Sequence, residues 1–188
     1  MKRLLPLSLL AAMCLYSSAW AAASPPQAGD KFPPLKFAAP AQAGEAGYLG
    51  LASGQAPFAL SQVKSPYLLV EIFSMYCTFC QADAPQVNQL FDLIKQQKLD
   101  GTLKMLGVGA GNSDYEVGVF RKKFKVAFPL LNDPEFSAHQ ALGQPRTPFF
   151  LLLKLSGGGE PQVIFTHLGP IGQPQEFLAT LKQKAGLP

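Results

Sequence analysis

Cys77 and Cys80 stand three residues apart in the stretch SMYCTFCQADAP, where an apolar run gives way to a helical pattern. Two thiols at i and i+3 of a helix project from one face and can bridge within a single turn. If Cys77 begins the helix, its sulfur lies beside free backbone N–H groups and the positive end of the helix dipole, which favours thiolate over thiol. An exposed thiolate is both a nucleophile and a good leaving group in disulfide exchange. Cys80, one turn further in and more shielded, is then the resolving partner.

Other uses of such a pair are weaker. A permanent staple of four residues removes little chain entropy, about 2 kcal/mol against about 4.7 for a hundred-residue loop. Structural zinc needs four ligands, and the two histidines, His139 and His167, have no metal spacing with each other. A copper(I) site, with Met75 or His167 as third ligand to the soft thiolates, remains an alternative.

Several residues nearby carry charge. Glu71 interrupts an apolar run, where an ionised carboxylate costs several kcal/mol, so its pKa should rise. A buried acid there could take the Cys80 proton as that thiol attacks a mixed disulfide. The alternative is a half-exposed glutamate paired with Lys64 or Lys104. Asp83, in the first turns of the helix, slightly opposes thiolate formation. Arg146 either adds a positive charge near the thiolate or is a solvated surface residue, and His139 reads as a surface residue.

The elements that must position these groups follow from periodicity. SPYLLVEIF, 65–73, is a continuous apolar run suited to a strand buried on both faces. The helix after Cys77 repeats Val87, Leu90, Phe91 and Ile94 at helical spacing, and Pro85 within it should kink it. A second strand is predicted over 102–110, then a helix capped by Asn112, Ser113 or Asp114 with Val117, Phe120 and Phe124 as its apolar stripe. FPLLND leads to a short helix ending at Gly143; strands over 149–155 and 162–168 flank a glycine-rich tip, and a last helix closes the chain. The β-α-β-α alternation argues for a parallel sheet, and the hairpin makes it mixed. Upstream, 24–57 reads as a largely irregular strap with DKFPPLKF and GYLGL as short extended pieces, leading into one domain over 58–188.

The chain opens with Lys2 and Arg3, an apolar stretch and small residues, the plan of a secretory signal peptide over 1–23, with an uncleaved anchor as the alternative. Its removal takes away Cys14 and leaves Cys77 and Cys80 as the only thiols in a disulfide-permissive space. Losing Lys2 and Arg3 from the 16 basic residues leaves 14 against 12 acidic ones, which carries no nucleic-acid footprint.

VEIFSMYCTFCQADAP resembles the active-site segment of the thioredoxin superfamily, with an acid six residues before the first cysteine, Glu71, and a proline five after the second, Pro85. GQPRTPFFLLL is similar to that superfamily's cis-proline loop, which implies a cis Pro148 preceded by Thr147. The leader, the strap and a helical insert between 112 and 143 resemble the TlpA/ResA-type extracytoplasmic thiol-disulfide oxidoreductases. The resemblance implies a thioredoxin-like α/β fold with a central mixed sheet and helices on both faces, and Cys77, Cys80 and Glu71 as catalytic groups. It also implies that the Thr147–Pro148 loop, with Arg146, binds substrate. Disulfide-containing client proteins, a membrane thiol donor of the DsbD/CcdA kind and a soluble periplasmic or other extracytoplasmic protein are further implications, with no cofactor or metal required. Thr78 and Phe79 depart from the Gly-Pro and Pro-His pairs of thioredoxin and of strong oxidases, so direction rests on other grounds. The absence of a cation between the cysteines favours a reductase over an oxidase or isomerase. Val70 stands where a peroxiredoxin has proline, and the Sco-type copper proteins space their cysteines by four, which places both readings further off.

Overall fold

The structure, a computed structural model, describes residues 24–42, 44–52, 57–155 and 157–188. The expected leader over 1–23, with Cys14, and Ser156 at the hairpin tip lie outside those residues. Along the chain come β1 (Lys36–Phe37), α1 (Glu45–Leu49), β2 (Phe58–Ala59), β3 (Tyr67–Phe73) and α2 (Thr78–Gln96). There follow β4 (Leu103–Ala110), α3 (Asp114–Phe124), β5 (Leu130–Asp133), α4 (Ser137–Ala141), β6 (Phe149–Lys154), β7 (Gln162–Leu168) and α5 (Pro174–Ala185).

Five strands form the central sheet in the order β5-β4-β3-β6-β7. β3 runs parallel to β4, and β4 to β5, while β6 is antiparallel to both β3 and β7. The sheet is therefore mixed, as the hairpin required. Because β3 is central and covered on both faces, its sequence is apolar without alternation. Leu69, Glu71 and Phe73 look to one side, where α2, α5 and the Val117 and Phe120 side chains of α3 build a core. Leu68, Val70 and Ile72 look to the other, against Ala138 of α4, Leu142 and the N-terminal strap.

The strap covers that second face with Phe32, Phe37, Leu49 and Leu51, joined by Phe58 and Leu60 just after it, all buried. Each such side chain contributes roughly 1.5–3 kcal/mol by leaving water. β1 and β2 pair antiparallel, with α1 between them in the chain. GYLGL, expected to be extended, instead lies mostly in α1: Leu49 is driven into the core, Glu45 reaches Arg121 of α3, and Gly50 ends the turn at φ 69°. Only a glycine or a strained residue stops a helix in that left-handed conformation.

The insert expected between 112 and 143, which lies between β4 and β6, is not wholly helical. β5 lies between α3 and α4 and adds the fifth strand beside β4. Its four residues between two prolines give too short an apolar run to show a period. At the start of α3, Ser113 is the cap, its hydroxyl accepting from the Glu116 N–H at 3.4 Å while the Glu116 carboxylate accepts from the Ser113 N–H at 2.7 Å. Asn112, another of the capping candidates, is fully buried and instead bonds the loop before α2.

Candidate active site

Cys77 is the residue that caps α2. Its backbone is extended, at φ −78° and ψ 113°, and the Cys80 backbone N–H donates to its sulfur at 3.2 Å. The thiol itself donates to the Thr147 carbonyl at 3.2 Å. Cys77 is half-buried and Cys80 fully buried, with both thiols free. One sulfur thus faces outward beside a helix N-terminus, and the second waits a turn below it.

The loop before α2 is held from several sides. The Cys77 N–H donates to the Ser74 carbonyl at 3.0 Å, and the Gln81 side-chain amide donates to the Met75 carbonyl at 2.7 Å. Asn112 accepts from the Met75 N–H at 2.8 Å and reaches the Ser74 hydroxyl at 3.4 Å. The Tyr76 hydroxyl bonds the Glu116 carboxylate at the start of α3. No feature of the sequence singled out Asn112 for this task beyond its place at the end of β4.

Glu71 sits in the middle of β3, paired with Gly107 of β4 and Phe150 of β6, on the face that α2 covers. Neither Lys64 nor Lys104 forms an ion pair with it: the Lys104 ammonium lies 4.6 Å over the Tyr48 ring. Burial pushes the Glu71 carboxyl up to about 8, and the negative charges of Asp83 and Cys77 push in the same direction. Asp83, placed by sequence in the first turns of the helix, is buried, and its carboxylate accepts the Ile171 N–H at 3.0 Å. Its pKa is raised by burial, with that N–H and His167 opposing. Cys80 likewise has its pKa raised, first by burial and then by its bond with Cys77. The site therefore holds a buried thiol, Cys80, that stays protonated beside two buried carboxyls reluctant to ionise.

Opposite Cys77, the Thr147–Pro148 peptide is cis and Pro148 is buried, its carbonyl accepting from Gly169 at 2.9 Å. Arg146 is exposed and lines, with Thr147, an open groove beside the thiol. His139 is half-buried there, with a ring nitrogen 2.9 Å from the Pro145 carbonyl. Met75 packs against the α2-side core, and His167 stacks among Phe165, Phe150 and Phe177 with Nε2 3.0 Å from the Pro170 carbonyl. No three His, Cys, Asp or Glu among the described residues converge on a metal site.

This mixed sheet, a CxxC pair at the head of α2 and a cis-proline loop facing it define the thioredoxin-like fold. Similar solved structures include a candidate thiol:disulfide interchange protein DsbE from Chlorobium tepidum, at TM-score 0.61 and 18% identity, covering 86% of this chain and 99% of that one. The thioredoxin domain of a Bacteroides vulgatus thiol-disulfide oxidoreductase matches at 0.58 and 12% identity, over 83% of this chain and 96% of that one. A secreted Mycobacterium tuberculosis disulfide oxidoreductase matches at 0.53 and 17%, over 68% and 89%. No protein-family model and no curated relative matches the sequence.

Proposed function

We propose that the chain is a thiol-disulfide oxidoreductase that reduces protein disulfides in an extracytoplasmic space. The observation that carries this reading is the Cys77 sulfur, half-exposed at the head of α2 between the Cys80 N–H and the Thr147 carbonyl, each at 3.2 Å. A developing thiolate there meets a fixed N–H donor at a helix N-terminus.

Reduction proceeds in two exchanges. The Cys77 thiolate attacks one sulfur of a client disulfide, forming a mixed disulfide and expelling the client's other sulfur as thiolate. Cys80 then loses its proton to a carboxylate, Glu71 being nearest in role, and attacks the Cys77 sulfur. The intramolecular disulfide forms, the client leaves with its second thiolate, and two electrons have passed from the cysteine pair to the client. Raised to about 8, Glu71 is mostly protonated at neutral pH, so its ionised fraction is the base and the resolving step should quicken as pH rises towards 8. Regenerating the dithiol needs a donor, for which a membrane thiol carrier of the DsbD/CcdA kind is the partner that the sequence resemblance implies.

Direction is supported by what flanks the nucleophile: Thr78 and Phe79, not a cation, lie between the cysteines, and buried Asp83 and Glu71 lie below. The reduced state then has the Cys80 N–H but no cation to stabilise the thiolate, less than a strong oxidant provides. Equilibrating the pair in glutathione and dithiothreitol buffers tests this. A reductase gives a potential near roughly −270 mV, an oxidase one near roughly −120 mV, and the absence of a reversible two-electron couple removes the redox reading altogether.

A further inference from the structure

The large apolar side chains that the described residues leave exposed are Tyr76, Phe79, Tyr115, Phe136 and Leu168, between 45% and 80% accessible. They share one end of the molecule. Tyr76 and Phe79 flank Cys77; Tyr115 precedes Glu116, which bonds Tyr76; Leu168 pairs with Phe149, the residue after Pro148. Phe136 packs its ring on Gly111, at the end of β4, so tightly that no Cβ fits there. An apolar rim of this kind around a thiol suits a chain with exposed core residues better than a small hydrophilic thiol.

Beside the rim lies the groove of about 480 Å³ lined by Ser74, Phe136, His139, Gln144, Arg146 and Thr147, among others. Ser74 and Thr147 also hold Cys77, so the groove adjoins the reactive sulfur. Two of its residues, Phe136 at φ 56° and Gln144 at φ 53°, are held in the left-handed conformation that side chains seldom adopt. No acidic residue lines it. Asp133, behind it, is buried and accepts from the N–H groups of Ala138 and His139 at 3.0 Å each. Arg146 has no ion pair among the described residues, whose two salt bridges are Lys31–Glu160 and Arg121–Glu45. The Thr147 N–H also lacks a backbone partner among them, which leaves it to an extended chain laid along this edge.

We infer that the groove is a specificity subsite that takes a carboxylate side chain from an extended, apolar client segment. Arg146 supplies the countercharge and Phe136 the apolar wall. The inference rests on the oxidoreductase reading and narrows its clients to unfolded or loosely folded segments with Asp or Glu within about three residues of the cysteine, since an extended chain rises about 3.3 Å per residue.

The test is a set of disulfide-cyclised peptides identical except for Glu, Gln or Lys at positions within three residues of the cysteine, reduced by the full dithiol protein. Hydroxyethyl disulfide, small and uncharged, normalises the intrinsic exchange rate of each protein. The expected result is kcat/KM in the order Glu, Gln, Lys, with about three- to fivefold between the ends at low salt, collapsing at 1 M NaCl, where the screening length is about 3 Å. Arg146→Glu should invert the order, and Phe136→Ser should lower the rate for every apolar peptide while keeping the charge order. Equal rates across the set, with hydroxyethyl disulfide still reduced, overturn the subsite and leave the oxidoreductase reading standing. No exchange with any disulfide overturns both. A concentration-dependent dimer whose formation slows exchange would assign the face to a second copy and overturn the subsite as well.

Discussion

Glu71 was legible as the one charged residue inside an apolar strand, and its burial follows from the central place of β3. Its chemistry has a thermodynamic cost. Because burial raises its pKa to about 8 from an ordinary 4.5, the folded state keeps a proton that the unfolded chain has released. Stability therefore falls as pH rises from about 4.5, and the loss is complete above about 8. Glu71→Gln should be more stable than the parent by roughly 2 kcal/mol or more at pH 8 and nearly equal at pH 4, read by urea denaturation across that range. In single-turnover reduction of a mixed disulfide, the same variant should slow the resolving step about 10²-fold at pH 8 and lose its pH dependence. A variant with unchanged resolution would transfer the proton to Asp83 or to water. Asp83 was less legible, because an acid in a first helical turn reads as exposed. Yet it stands three residues after Cys80 and four before Val87, on the stripe that faces the core, and that spacing was the available signal.

At the scale of elements, the strands β3, β4, β6 and β7 and the helices α2, α3 and α5 were readable because each has either a long period or a clear terminator. β5 and α1 were not. Four residues between prolines and five residues between glycines carry too little pattern, and both form through contacts distant in sequence: β5 beside β4, α1 through Leu49 and Glu45. The Glu45–Arg121 pair, at 2.8 Å, ties strap to insert, and burial raises the Glu45 pKa more than Arg121 lowers it. Arg121→Met should cost about 3 kcal/mol at pH 7 by leaving that carboxylate uncompensated, and less as the pH is lowered and the buried carboxyl takes up a proton. Adding Glu45→Gln should recover part of the loss, though not the bonds from Arg121 to the Val126 and Phe128 carbonyls at 3.3 and 3.0 Å. Asn112 is the comparable tie at the candidate active site. Asn112→Ala should cost about 1–3 kcal/mol, since the Met75 N–H loses its acceptor. It should also slow the first exchange, which reports loop position and not stability alone. Denaturant midpoints and stopped-flow exchange separate the two effects.

For the whole molecule, redox state and folding are linked. A potential is the difference in stability between disulfide and dithiol forms, so the gap between roughly −270 and −120 mV corresponds to about 7 kcal/mol, at about 1.4 kcal/mol per 30 mV. A strong oxidant reaches the upper value by stabilising its reduced form, usually through the thiolate. Here burial disfavours ionisation of Cys80, two buried carboxyls lie beneath the pair, and Thr78 and Phe79 bring no positive charge between the sulfurs. The covalent bond, by contrast, joins two sulfurs that the N-cap of α2 already holds at adjacent positions, so closing it asks little of the fold. The oxidised protein should therefore melt above the reduced one, by about 3–10 °C for a domain of this size. Calorimetry with and without dithiothreitol measures this, and Cys80→Ser, which cannot close the bond, should show no such difference. A reduced form that melts higher would mean that the fold favours the dithiol, and the electrons would then flow from client to protein.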